Sequence, residues 1–311
     1  MNTRLLNLRC AITALHIVVL LAVGSAAREA GDDERKEAKA QTGDNVIAAV
    51  AARPATTENT KALEKDGSET SGRTMRGSPV AEPVQSGSDG WAFQLSPYIF
   101  MPAIKGTAGV GAFTADVDAR FVDIIDEANF AFMAAFEARK NKFMILTDMM
   151  YINLSDSAGT PGPLFSSVKV DFKAFILDPE VGYRVVEKER ASLDLLGGIR
   201  YWHLKTTLDF RAGILPERQE ERSKNWVDVI GGVRGRARLS TRWFLTGKAD
   251  LGGGGSDFSW QLFGGAGVDV NRRVSLIFGY RHLDVNYDDE DTGFVFDVAM
   301  KGPIIGFGFR F

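Results

Sequence analysis

The chain has 311 residues, a formal net charge of -3 and a mean hydropathy of -0.08. Its basic residues are dispersed, so no nucleic-acid partner is expected. No run of 18 apolar residues occurs after the first thirty residues, which excludes a bundle of membrane-spanning helices, whereas membrane-spanning strands give only a weak hydropathy signal. The one cysteine, Cys10, lies in the first segment, so we expect no thiol chemistry in the rest of the chain.

Two segments precede the regular part of the chain. Arg4 and Arg9 are followed by an apolar run at 11–23 and by small residues at 24–27, which is typical of a secretory signal peptide cleaved after Ala27. Residues 28–90 contain no aromatic residue and few large aliphatic ones. Such a segment cannot bury enough apolar surface to offset its conformational entropy, so we expect a disordered tether.

From Trp91 to the end, apolar and polar residues alternate with the period of a β-strand. The pattern predicts an all-β fold, an antiparallel up-and-down barrel over residues 91–311 with about ten strands, although eight or twelve are possible. Each is long enough to cross a membrane when tilted. The predicted strands are 91–101, 129–139, 142–154, 168–186, 192–206, 226–239, 242–251, 258–270, 274–287 and 293–311.

The predicted connections alternate between tight turns and longer links at 102–128, 155–167, 207–225 and 288–292, with one short exception at 252–257. In the first long link, residues 107–110 and 113–117 are expected to pair as a hairpin, and residues 122–128 to form one or two helical turns. Pro179 lies inside the fourth strand, where it breaks the alternation and predicts a bulge or a periplasmic extension.

The last ten residues read GPIIGFGFRF and place aromatic side chains on one strand face up to the final residue. Phe311, Phe309, Phe307 and Gly306 resemble the C-terminal assembly signal of Gram-negative outer-membrane β-barrels, although Ile304 departs from the polar residue usual there. The resemblance implies an outer-membrane location with both termini in the periplasm. It also implies outer-membrane lipid and lipopolysaccharide, the barrel-assembly machinery and periplasmic chaperones as partners, and it implies nothing about activity.

Separating each strand by parity gives one apolar face and one face that carries charges of both signs. A soluble barrel would place its apolar face inside, but aromatic residues recur near the strand ends, as the two interfaces of a membrane require. We therefore expect a charged interior linked by ion pairs and water, because a lone buried charge is very costly. The predicted interior network consists of Asp148, Asp194, Arg200, Arg234, Arg236, Lys248, Asp250, Asp269 and Arg281.

The candidate catalytic residues are His282 and Asp284, which share a strand face and could act as a general base and the group that orients it. The same parity that places Arg281 inside places His282 outside, and no partner nucleophile is evident.

The candidate metal ligands are Asp288, Asp289 and Asp291, which belong to an acidic loop that could hold Ca²⁺, although such a run at a hairpin tip is more often solvated. We therefore predict a non-enzymatic protein with a structural or narrow, porin-like role and no cofactor or metal. The alternatives are a rim hydrolase at His282 and Asp284, or binding of an external ligand by the long loops, especially 102–128.

Overall fold

A computed structural model describes residues 90–110, 113–160 and 163–311. The predicted signal peptide and nearly all of the predicted disordered segment lie outside these residues. In the described residues, no helix is long and apolar enough to cross a membrane. The elements are β1 (Ala92–Phe100), β2 (Ala103–Val110), β3 (Phe113–Ala119), α1 (Phe121–Asp126), β4 (Ala128–Lys140), β5 (Phe143–Gly159), β6 (Phe165–Glu187), β7 (Ala191–Ala212), β8 (Arg218–Arg238), β9 (Trp243–Gly253), β10 (Phe258–Asp269), β11 (Val274–Asp289) and β12 (Phe294–Arg310).

The strands form one closed antiparallel barrel. β1 pairs with β4 on one side and with β12 on the other, and β4 to β12 pair in sequence order, so ten strands complete the ring. β2 continues along β12 beyond β1, and β3 pairs with β2 as the predicted hairpin of the first long link. α1 follows this hairpin near the predicted helical turns. The prediction of a ten-stranded barrel is confirmed.

The two ends of the barrel differ. Tight turns connect the strands at one end, which we call the turn end, and the longer links lie at the other, the loop end. One tight turn, between β4 and β5, is closed by Asn141 with a φ of 54°, a left-handed conformation that asparagine tolerates better than most residues. β1 begins at the turn end, and β12 ends there.

Two of the predicted long links are largely strand. The ladder between β5 and β6 continues to Gly159 and Ser167, and the ladder between β7 and β8 continues to Phe210 and Arg218. These extensions project beyond the rest of the barrel at the loop end. They are stabilised by a small apolar cluster that includes Val168, Val170, Leu208 and Phe210, of which Leu208 and Phe210 lie in the predicted link 207–225.

Pro179 does not break the alternation of β6. The register between β6 and β7 is the same on both sides of it, and only the pairs at Asp178 and Pro179 are missing. The bulge lies instead between Arg184 and Val186, close to the turn end. Proline lacks an N–H group, so it removes a hydrogen bond without shifting the strand. The prediction of a bulge at Pro179 is therefore wrong, and Asp178 and Glu180 both remain on the inner face.

The barrel wall has a seam on one side. β1 pairs with β4 only between Ala92 and Pro97, opposite Arg139 to Ala134. Above Ala134, no ladder in the described part of the chain joins β4 to β1 or β3, and residues 129–132 are exposed on both strand faces. Within the described residues, the ring is therefore fully paired on this side only in the half near the turn end.

Candidate functional site: the barrel interior

Near the turn end, a network of ion pairs crosses the lumen. Arg234 of β8 contacts Glu137 of β4, with 2.6 Å between Nη1 and Oε2, although β8 and β4 lie four strands apart in the ring. Arg139 contacts the same glutamate at 3.1 Å and Asp194 of β7 at 2.8 Å. Arg184 of β6 contacts the second oxygen of that aspartate at 2.9 Å. Four strands are thus joined by side chains as well as by their backbones.

The middle of the lumen holds the most deeply buried charges. Arg200 has no exposed surface, and its guanidinium donates to both oxygens of Asp178, with Nη2 to Oδ2 at 2.9 Å, and to Asp250 Oδ1 at 2.8 Å. Lys248 forms ion pairs with Glu180 at 2.8 Å and with Asp250 at 3.3 Å. Because each charge has an opposite partner, the desolvation cost of this layer is partly offset.

A third connection crosses the lumen beside these charges, since Asp148 of β5 is the register partner of Asp178. Arg281 of β11 forms an ion pair with Asp148 at 2.9 Å and donates to the Tyr98 hydroxyl at 3.0 Å. Tyr98 in turn donates to Asp148 at 2.7 Å. In the ring, β11 and β5 lie on opposite sides. This triangle of one ion pair and two hydrogen bonds therefore joins the two walls of the barrel.

Above these layers the interior is apolar. Trp202 and Trp226 stack with ring centroids 5.4 Å apart, Trp226 stacks on Tyr287 of β11 at 4.3 Å, and Trp202 meets the edge of Phe296 of β12 at 6.3 Å. Trp202 is 1% exposed and Leu283 is fully buried. Large side chains from opposite walls thus fill the cross-section of the lumen towards the loop end.

All nine residues predicted for the interior network lie on the inner face, and some pair within the predicted set, as Arg200 does with Asp250 and Arg281 with Asp148, whereas others have partners outside it. Asp194 pairs with Arg139 and Arg184, neither of which was in the predicted set. Asp269 pairs with Arg310 at 2.6 Å. Glu137, Asp178 and Glu180 were missed. Strict alternation carried through Pro179 would have identified the last two.

His282 and Asp284 are outside the barrel. Their side chains lie 3.5 Å apart and are 27% and 30% exposed, and the imidazole packs against Trp260 with centroids 4.5 Å apart. β11 alternates, so its inward neighbours are Arg281 and Leu283 instead. A histidine stacked on an outward tryptophan has the environment of an aromatic side chain at a membrane interface.

Lys224 of β8 anchors the acidic loop at the end of β11. Asp289 accepts a hydrogen bond from Lys224 of β8, and it also accepts from the backbone N–H groups of Asp291 and Thr292. Hydrogen bonds from Lys224 and from the side chain and backbone N–H of Thr292 lower the pKa of Asp289 to about 2. In the described residues, no three His, Cys, Asp or Glu side chains are grouped so that they could hold a metal ion.

A closed antiparallel barrel with an apolar outer face and a charged inner face is the fold of Gram-negative outer-membrane β-barrels. The predicted assembly residues Phe307, Phe309 and Phe311 point outwards, and Gly306 is buried against Tyr98 of β1. A side chain at Gly306 would lie 2.7 Å from the Cβ of Tyr98, so this position requires glycine.

No family model matches the chain, and no curated protein matches it. Among solved structures, it is similar to the outer-membrane protease OmpT from Escherichia coli, with 10% identity, 73% of this chain and 100% of that chain covered, and a TM-score of 0.47. It is also similar to the translocator domain of the autotransporter NalP from Neisseria meningitidis (14%, 73% and 91%, TM-score 0.41) and to the attachment invasion locus protein Ail of Yersinia pestis (13%, 72% and 100%, TM-score 0.33). At such low identities and scores, these likenesses carry no information about activity.

Proposed function

We propose that this protein is a non-enzymatic outer-membrane barrel with a closed lumen, which holds its N-terminal segment at the membrane and has a structural role in the envelope. The turn end, where β1 begins, would then face the periplasm. Two properties support this proposal: the pattern on the outer surface and the filling of the interior.

The outer surface carries an apolar belt between two bands of aromatic side chains. Near the turn end, Phe93 stacks on Phe311 with centroids 5.9 Å apart, and towards the loop end Phe130 packs on Tyr151 at 5.9 Å. Between the bands, the outward side chains are largely apolar and include Val229, which is 68% exposed, together with a few aromatic residues such as Phe278. Aliphatic groups left this exposed are stable in lipid, and aromatic rings favour the two interfaces.

The contact between Arg281 and Asp148 is the observation on which the closed lumen rests. It joins opposite walls at 2.9 Å, and the layers below and above it also reach across the barrel, through Glu137 with Arg234 and through Trp202 with Phe296. A water-filled pore would need a continuous path past all three. With the side chains in these positions, each layer occupies the space that ions would use.

The test is single-channel conductance of the refolded full chain in a planar bilayer. The wild-type protein is expected to give no steady conductance steps. The triple variant Arg234→Ala, Arg281→Ala and Trp202→Ala removes one spanning side chain from each of the three layers, and it is expected to conduct. Leu251→Ala, on the outer face, is the matched control and should stay silent.

Steady, salt-dependent steps from the wild-type protein would overturn the proposal of a closed lumen and favour a narrow pore. A folded triple variant that remains silent would contradict the assignment of the closure to these three layers. Folding of each variant is checked by its resistance to unfolding in detergent.

A further inference from the structure

We propose that the lumen mouth at the turn end is a binding site for a phosphate-class oxyanion, centred on Arg236. The proposal concerns a ligand of the barrel and does not depend on whether the lumen is closed further in. It rests on an excess of arginine at this level, on the position of Arg236 and on the charge of the surrounding turns.

Arginine outnumbers carboxylate on the inner wall at the turn end. Each carboxylate at this level contacts two arginines: Glu137 contacts Arg139 and Arg234, Asp194 contacts Arg139 and Arg184, and Asp269 contacts Arg310 at 2.6 Å and Arg238 at 3.7 Å. Glu187, half exposed in the adjacent turn, adds one more acid beside Arg184. The inner wall at this level carries the arginines Arg139, Arg184, Arg234, Arg236, Arg238 and Arg310, against the carboxylates Glu137, Asp194 and Asp269.

Arg236 has no carboxylate partner. In the described residues, no Asp or Glu lies within ion-pair distance of it, and its guanidinium lies 3.7 Å above the ring of Phe244. The charges that act on it most strongly are the positive ones of Arg310 and Arg234, ahead of Asp269 and Glu137. Because like charges face this guanidinium, an anion bound there would relieve repulsion from several directions at once.

The floor of the site is rigid. Phe244 is 1% exposed, and its ring occupies the space beside Gly267, where a Cβ would lie 2.2 Å from Cζ. The arginine is therefore supported from below by a packed aromatic face, which holds the planar guanidinium in a fixed orientation. Its N–H groups remain available at the edge of the plane. A preorganised, partly buried guanidinium is the arrangement that binds oxyanions with two parallel hydrogen bonds.

The turns around the mouth add to the positive charge of the inner wall. The residues at 140–142, 187–190, 240–242 and 271–273 include seven lysines or arginines and two glutamates. An anion that approaches the turn end therefore meets a positive field before it reaches the lumen, which would raise its local concentration. A multivalent oxyanion suits a mouth in which several guanidinium groups converge, and phosphate can arrive either free or as the headgroup of an anionic lipid.

The experiment measures binding of inorganic pyrophosphate to the refolded full chain by calorimetry, in a zwitterionic detergent at low salt. Arg236→Gln is expected to weaken binding by about tenfold or more, because it removes charge-assisted hydrogen bonds. Arg236→Lys keeps the charge but cannot form bidentate hydrogen bonds, and it should give an intermediate loss of pyrophosphate affinity. Arg211→Gln removes the same charge from the exposed loop end and should bind as the wild type does.

A second arm uses vesicles of phosphatidylcholine with or without phosphatidylglycerol, and it follows the fluorescence of the refolded protein as pyrophosphate is added. Binding in both vesicle types supports a free anion as the ligand. A wild-type response that is present in pure phosphatidylcholine and abolished by phosphatidylglycerol supports the lipid headgroup, because the headgroup then occupies the site that pyrophosphate would use. Equal pyrophosphate affinity in the wild type, Arg236→Gln and Arg211→Gln would overturn the proposal, because binding would then reflect only the general charge of the protein.

Discussion

Replacing Arg200 by methionine tests how much the buried network contributes to stability. Arg200 is fully buried and is the one ionic partner that the described residues supply to Asp178, which is 1% exposed. Asp250 would keep Lys248 at 3.3 Å and the amide of Gln261 at 2.9 Å. The main loss is therefore a single buried carboxylate left without a cation, and breaking such a pair costs about 3–5 kcal/mol.

The assay is urea unfolding in detergent, followed by tryptophan fluorescence, with Trp202 as a reporter two residues from the substitution on the same face. With a denaturant slope of about 2 kcal/mol per molar, the unfolding midpoint should fall by about 1.5–2.5 M. The double variant Arg200→Met and Asp178→Leu removes both charges and should recover most of the loss, because an apolar pair of similar volume has no desolvation cost.

Two results would refute this reasoning. If Arg200→Met unfolds at the wild-type midpoint, the arginine does not compensate the buried aspartate in solution. If the double variant is as unstable as the single one, the loss comes from packing of the arginine side chain and not from an uncompensated charge.

Three further predictions concern other parts of the barrel. Burial and neighbouring carboxylates raise the pKa of Glu127 from 4.5 to about 7. The folded state therefore holds this proton more tightly than the unfolded chain does, so stability at the loop end should fall as pH rises from about 4.5 to 7. In thermal melts, Glu127→Gln should abolish that dependence. Gly267→Ala should lower the free energy of unfolding by about 1–3 kcal/mol, because its Cβ would lie 2.2 Å from Phe244, whereas Gly264→Ala, with open space around it, should change little. In hydrogen exchange, the amides of the first six residues of β4 should exchange faster than those of the rest of the strand, because in the described structure these residues have a partner strand on one side only. Equal protection along β4 would show that the seam is closed in solution.

The sequence by itself determined the barrel strands and which way their side chains point. Alternation is a local property with a period of two residues, so it can be followed along a single strand without knowledge of its neighbours. The ten predicted barrel strands, the hairpin in the first long link and the outward direction of Phe307 and Phe309 all follow from it. The sequence interpretation failed at Pro179, where a proline that only removes one hydrogen bond was taken to shift the strand, although the alternation continues through it.

Only the tertiary structure decided which interior charges meet. Glu137 and Arg234 are 97 residues apart in the chain, and Arg281 and Asp148 belong to strands on opposite sides of the ring. Parity places each of these side chains inside, but the stagger of the strands around the closed barrel sets the height of each one. For the same reason, the sequence does not distinguish Arg236, which has no carboxylate partner, from Arg234 two residues before it, which spans the lumen to Glu137.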